Sequence, residues 1–234
     1  MKKIALITVA AVALAISAIA AKVISPLAAA YKGAQSAPVG SRLSSYVREA
    51  KSKGRAQLTI PSPLVDYVTN VRSLHGALKY YTLVVATPTE KLTVATDDGE
   101  LRTWYKLEIS ESLTPKKHTP CPDCAAPGLL PRDLLPLNPN QILVAERGGS
   151  LTVDGVRLDM SPEFNFTPGE SYLLFLQEDQ SGLFGRIMVG PDAVFKVTPD
   201  QSLAEISDSP HSLKNIVKEQ YRGRLRDLRA AARQ

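Results

Sequence analysis

Between residues 80 and 197 the apolar positions recur with the short period of strands, and glycine- or proline-containing pairs cut them into pieces. Residues 80–87 are β-branched and aromatic and predict a first strand, with 92–96 either continuing it or pairing back after Pro88. Asp97-Asp98-Gly99 reads as a hairpin turn, and 101–113 alternates behind it. Thr103, Tyr105, Leu107 and Ile109 point one way, and Trp104, Lys106, Glu108 and Ser110 the other, so one face is core and the other wet; Trp104 on the wet side reads first as partly buried under a loop, with a contact residue as the alternative. After a Pro-rich interruption, 141–146 resumes the sheet. Residues 151–158 then form a two-residue hairpin on Asp154-Gly155, with Val153 facing Val156 and Leu151 facing Leu158. Pro168-Gly169 turns into the densest apolar run, 172–176, which these turns mark as a buried strand. Residues 183–189 and 193–197 complete the predicted set.

Helical spacing appears outside that region. Residues 44–53 predict a short helix carrying Tyr46 and Val47 inward and stopped at Gly54, within a stretch, 21–63, that is small and polar enough to read as a tether or loosely packed arm. Ser62 and Pro63 open a second helix, expected to run to about Leu78 with Leu64, Val68, Val71 and Leu74 on one face. From Ser209 to Gln234 a third pattern places Leu213, Ile216, Val217, Tyr221, Leu228 and Ala231 on one stripe. Lys218, Arg222, Arg226, Arg229 and Arg233 lie opposite. A solvated face explains such charges, and docking on an anionic head group, a polysaccharide or an acidic partner is the functional alternative.

Composition adds where the chain goes. Residues 1–20 carry Lys2 and Lys3, an apolar run and small residues at 18 and 20, the pattern of a secretory signal peptide cleaved after Ala20. An uncleaved membrane anchor is the alternative, although Lys22 and Pro26 shorten the apolar run. The formal charge is +5, and without Lys2 and Lys3 it is 26 basic against 23 acidic residues, too mild a surplus to point to nucleic acid. With 44% hydrophobic residues, the body beyond residue 64 can bury one substantial core, 64–200, followed by the basic segment 201–234.

Reactive chemistry concentrates in the insertion at 114–139. Cys121 and Cys124 are the only two cysteines; in an exported chain they form a local disulfide or a thiol pair. His118 makes zinc an alternative, but a structural site wants a fourth ligand. A redox catalyst would want its first cysteine at a helix N-terminus, whereas Pro120, Pro122, Pro127 and Gly128 argue for an open loop. Ala125 stands where haem attachment needs histidine. His75 and His211 read as capping or surface residues. No nucleophile elbow, zinc-protease pair or phosphate loop appears in the sequence. Glu146, Asp154, Asp159 and Glu163 are carboxylates near turns whose separation spacing alone does not give. No cofactor is expected.

The series Tyr80-Tyr-Thr-Leu-Val-Val85, Trp104-Tyr-Lys-Leu-Glu108, Gly148-Gly149, Pro162-Glu-Phe164, Pro168-Gly169-Glu-Ser-Tyr172-Leu-Leu-Phe175, Gly190 and Phe195-Lys-Val197 resembles a broad set of exported bacterial proteins of unknown function. These look like five-stranded OB-type barrels, and the Gly169-x-x-Tyr172-Leu-Leu strand is distantly similar to the netrin and metalloproteinase-inhibitor module. The resemblance spans about 78–197 and implies fold more than function. Inhibitors of that module ligate the target's metal through an N-terminal cysteine, and no cysteine precedes Cys121, so that mechanism is not carried over.

The expected fold is therefore mainly β (α+β): a small antiparallel OB-like β-barrel with an N-terminal helix and a C-terminal amphipathic helix. The expected role is an exported, non-catalytic binding or scaffold protein of the cell envelope, periplasmic or secreted, with an envelope protein or polysaccharide as partner. Membrane contact would come only through an uncleaved signal segment or the basic helix. The candidate binding surface comprises Trp104, Lys106, Arg222, Arg226 and Arg229; thiol-disulfide or metal chemistry at Cys121 and Cys124 is the competing reading.

Overall fold

The computed structural model describes residues 40–61, 71–79, 81–95, 100–114, 134, 137–162, 165–177, 187–188, 194–206 and 212–233. Within them the chain is mainly β and forms two sheets. The larger orders β10 (Leu203–Glu205), β9 (Val194–Val197), β7 (Ser171–Gln177), β2 (Tyr81–Ala95), β3 (Leu101–Ser112) and β4 (Gln141–Arg147), with β8 (Ile187–Met188) pairing β7 beyond β9. The smaller orders β1 (Gln57–Ile60), β6 (Val156–Met160) and β5 (Gly149–Val153).

The dense apolar runs sit at the centre. Every residue from Tyr81 to Ala86 and from Tyr172 to Leu176 is buried, on both faces of the sheet, which is why these runs do not alternate. On one face Leu83, Val85, Leu173 and Phe175 pack against Leu213, Ile216, Val217, Leu225 and Leu228 of the C-terminal segment. On the other, Val84, Ala86, Leu107, Val144, Leu174 and Leu176 surround Phe166 with Tyr105 and Tyr172. Both tyrosine rings meet Phe166 edge-on at 4.8 Å.

β2 runs on through Pro88 rather than folding back. Its register with β3 shifts between Pro88 and Glu90, beyond the end of its pairing with β7 at Ala86, and Thr89 Oγ1 donates to Lys106 O at 3.1 Å. The hairpin at Asp154-Gly155 has the expected pairing, Val153↔Val156 and Leu151↔Leu158, with φ of 49° and 78° at its two turn residues.

Three expectations change. The ladders do not draw a closed barrel among the described residues: β4 and β10 end the path, although β8 lies within 8 Å of β4. After β4 the chain leaves the large sheet at Gly148-Gly149 and enters the small one. Second, residues 42–60 are not a loose arm. Ser41 caps helix α1 (Arg42–Ser52), whose Leu43, Val47 and Ala50 pack on Ile60, Val153, Val156 and Leu158. Strand β1 then pairs in parallel with β6. Third, the helix expected from Pro63 to Leu78 does not run through Ser73, which is extended (φ −153°) and caps a single turn, α2 (Leu74–Ala77). Residues 62–70 lie outside the described set.

The C-terminal helix is likewise interrupted. α3 (Ser212–Asn215) runs into a π-helical turn, Ile216–Gln220; Arg222 and Gly223 take φ of 53° and 61°, and α4 (Leu225–Ala232) follows from an extended Arg224. The buried stripe survives the break because Leu203 N–H donates to Gly223 O at 2.7 Å and Leu225 N–H to Gln201 O at 3.0 Å, docking the turn on β10. The basic residues, however, no longer share one helix face.

Candidate functional site

A cleft of about 520 Å³ opens where the two sheets meet. Its first wall follows from the β2–β3 register, which sets Thr93 opposite Thr103 and Lys91 opposite Tyr105. The second is the polar face of the small sheet, where Thr59, Asp159 and Ser150 lie in one row and Arg157 beside them. Gly149, Ser161 and Pro162 line it between these walls, and Asn165 completes the lining.

The glycine pair makes this meeting possible. A Cβ on Gly148 (φ +102°) would come within 2.7 Å of Pro162 Cα. One on Gly149 (φ +124°) would overlap the hydroxyls of Thr103 and Thr93. Those hydroxyls bond each other at 2.9 Å, and buried Thr103 Oγ1 lies 2.8 Å from Gly148 O. The corner between sheets is thus held by side-chain hydroxyls where the β3–β4 ladder ends.

Electrostatics divide the two walls. Asp159 accepts from Ser150 Oγ, from Gln57 Nε2 at 2.7 Å and from Arg157 Nε at 3.0 Å; the Ser150 bond, then Arg157, hold its carboxyl below the usual range. Across the cleft, Tyr105 is 3% exposed beside Glu146, itself 4% exposed. Burial, then the Glu146 carboxylate, push the Tyr105 hydroxyl far up, so it stays a neutral hydrogen-bonding group. Lys91 is exposed and makes no ion pair with a described residue. The cleft therefore offers hydroxyls, an amide and an ammonium that no described carboxylate pairs.

Residues singled out by sequence lie elsewhere. Trp104 is 4% exposed, packed with Val94, Leu143, Ala145 and Leu134, so it is a core residue rather than a contact. Lys106 is held by Glu90 at 3.1 Å with 13% of its side chain exposed. Arg229 makes two bonds to Glu111, at 2.9 and 2.8 Å, and Arg226 pairs with neighbouring Asp227 at 3.2 Å; Arg222 alone of the three makes no such pair among the described residues. Cys121, Cys124 and His118 lie outside the described residues, as does Glu163. Of the other carboxylates, Glu146 is buried beside Tyr105, Asp159 lies on the polar face of the small sheet, and Asp154 takes the left-handed turn of the hairpin.

Lys91, Thr93, Thr103, Ser150, Arg157 and Asn165 were not anticipated. The one signal that could have found them is Gly148-Gly149, since two adjacent positive-φ residues between strands mark a place where backbone and another element come close. No family model, curated protein or solved structure matches the chain.

Proposed function

We propose that the protein is an exported, non-catalytic binding protein of the cell envelope, built on an OB-like β framework, and that it takes its ligand in the cleft between the two sheets. The observation that carries this reading is the convergence of polar side chains from two different sheets on one cleft, with Lys91 unpaired by any described residue. Ligand sites favour such boundaries because the walls are rigid while the groups on them remain free to exchange water for a ligand. The approach of β8 to β4 supports the OB-like part of the reading, and the signal-like residues 1–20 support export.

The test compares what the immobilised full chain captures from envelope extract with what two cleft variants capture. Lys91→Glu reverses the unspent charge and Asn165→Trp fills the space, both at exposed positions. The expected result is a captured species reduced at least about tenfold by each variant, roughly the 1.4 kcal/mol of one good polar contact. Identical capture by all three proteins would remove the cleft from the function. Export is checked separately: the N-terminus of protein from the periplasmic fraction should begin at Ala21, and an intact Met1 there would favour the anchor.

A further inference from the structure

The charge of this protein is not spread over it. Residues 212–233 hold seven basic and two acidic side chains, a surplus of five that equals the formal charge of the whole chain, +5, so the remainder sums to zero. The structure then separates the basic residues in this segment that are used internally from those that are not. Lys214 is tied to Glu205 at 2.7 Å, and Arg229 to Glu111 at 2.7 Å. Lys218, Arg222 and Arg224 are exposed and make no ion pair with any described residue. Arg226 and Arg233 add exposed charge, 77% and 74% of their side chains being accessible.

The three unspent cations surround one bend. Lys218 sits in the π-helical turn, Arg222 in the left-handed turn after it, and Arg224 on the extended residue before α4. Lys218 and Arg222 also line a groove of about 550 Å³ against Leu203 and Glu205 of β10. Lys218 and Arg222 share that groove and Arg224 follows two residues on; the aromatic residues beside them, Phe195 and Tyr221, are buried and half-buried, so neither offers a free face to bases. We propose that this bend is a docking surface for an anionic phospholipid bilayer, with Lys218, Arg222 and Arg224 bound to head-group phosphates. The mode is peripheral and electrostatic, independent of the cleft, and adds a membrane-facing side to the envelope reading.

Sedimentation of the full chain with vesicles tests it. Partition onto vesicles of phosphatidylcholine containing phosphatidylglycerol should exceed partition onto phosphatidylcholine alone and should weaken as salt rises. The variant Lys218→Gln/Arg222→Gln/Arg224→Gln should lose about 100-fold in partition, near fivefold per residue. A triple of equal charge loss on α1, Arg42→Gln/Arg48→Gln/Lys51→Gln, should lose only the small part due to net charge. Melting temperature and near-ultraviolet circular dichroism establish that both variants fold. Equal partition onto the two vesicle types would assign binding to the apolar N-terminal run and overturn the proposal. So would equal losses in the two triple variants, or binding of polygalacturonate with no preference for anionic vesicles, which would make the partner a soluble acidic polymer.

Discussion

Gly149 carries the tightest demand among the described glycines, because its φ of +124° and its contact with Thr93 and Thr103 exclude a side chain for two separate reasons. Gly149→Ala is expected to cost about 2–4 kcal/mol in urea unfolding, strain and displacement together. Gly155→Ala, with φ of +78° but open space around it, should cost only about 1 kcal/mol. Equal losses would mean that backbone strain alone matters at the corner. Trp104, the single tryptophan, offers a second check: its fluorescence should be blue-shifted and resist acrylamide, and Trp104→Ala should cost about 3–5 kcal/mol. An emission maximum typical of water would contradict its packing. The alternation of 101–113 had put Trp104 opposite Tyr105 correctly. Its cover, Leu134 and Leu137, comes from thirty residues further on, and no local pattern announces such a partner.

Among the elements, those fixed by local geometry were legible and those fixed by distant contacts were not. The Asp154-Gly155 hairpin could be read to the residue, since a two-residue turn and period-two side chains leave one register. The run at 172–176 announced a buried, central strand by being apolar throughout, whereas 80–87, with Thr82 inside it, announced a strand without announcing its place at the centre. The parallel pairing of β1 with β6 joins Gln57 to Arg157, and nothing near either residue encodes it. The C-terminal helix misled because its apolar spacing continues across the bend; Gly223 was the visible signal, and it was outweighed by the stripe. α4 is fastened to β3 by the two-bond contact of Arg229 with Glu111, about a third and a quarter exposed. Screening limits such a pair, so Arg229→Met should cost about 1 kcal/mol, and a double-mutant cycle with Glu111→Gln should return a coupling near that size. No coupling would make the contact ornamental and leave Leu225 and Leu228 to hold the helix.

At the scale of the whole molecule, stability should depend on pH at both ends. Hydrogen bonds from Thr198 and Ser202 lower Asp200 from 3.8 to about 2; Lys196, then Tyr172, lower Glu170, and Ser150, then Arg157, lower Asp159. A carboxylate held low in the folded state adds stability that is complete above its unfolded value and is lost as pH falls through its folded one. The melting temperature should therefore hold above pH 5 and decline from about pH 4 toward 2. Tyr105 is raised above its ordinary 10.0, so its contribution is complete below pH 10 and is lost as pH climbs beyond it. Absorbance at 295 nm should show a tyrosine component that ionises well above pH 10, and Tyr105→Phe should remove that component.

The parallel pair β1–β6 also orders events in time. Its strands lie 100 positions apart, so as the chain emerges β1 has no partner until residue 157 has been made, roughly 5–20 s later at ordinary rates of synthesis. During that interval Gln57–Ile60 and the apolar side of α1 stay uncovered, and the small sheet is completed only when the β5–β6 hairpin arrives. The small sheet thus waits for residue 160 and the large one for residues 194–205, so neither sheet is complete until about two-thirds of the chain has been made, and a chaperone that holds unfinished strands has that whole interval in which to act.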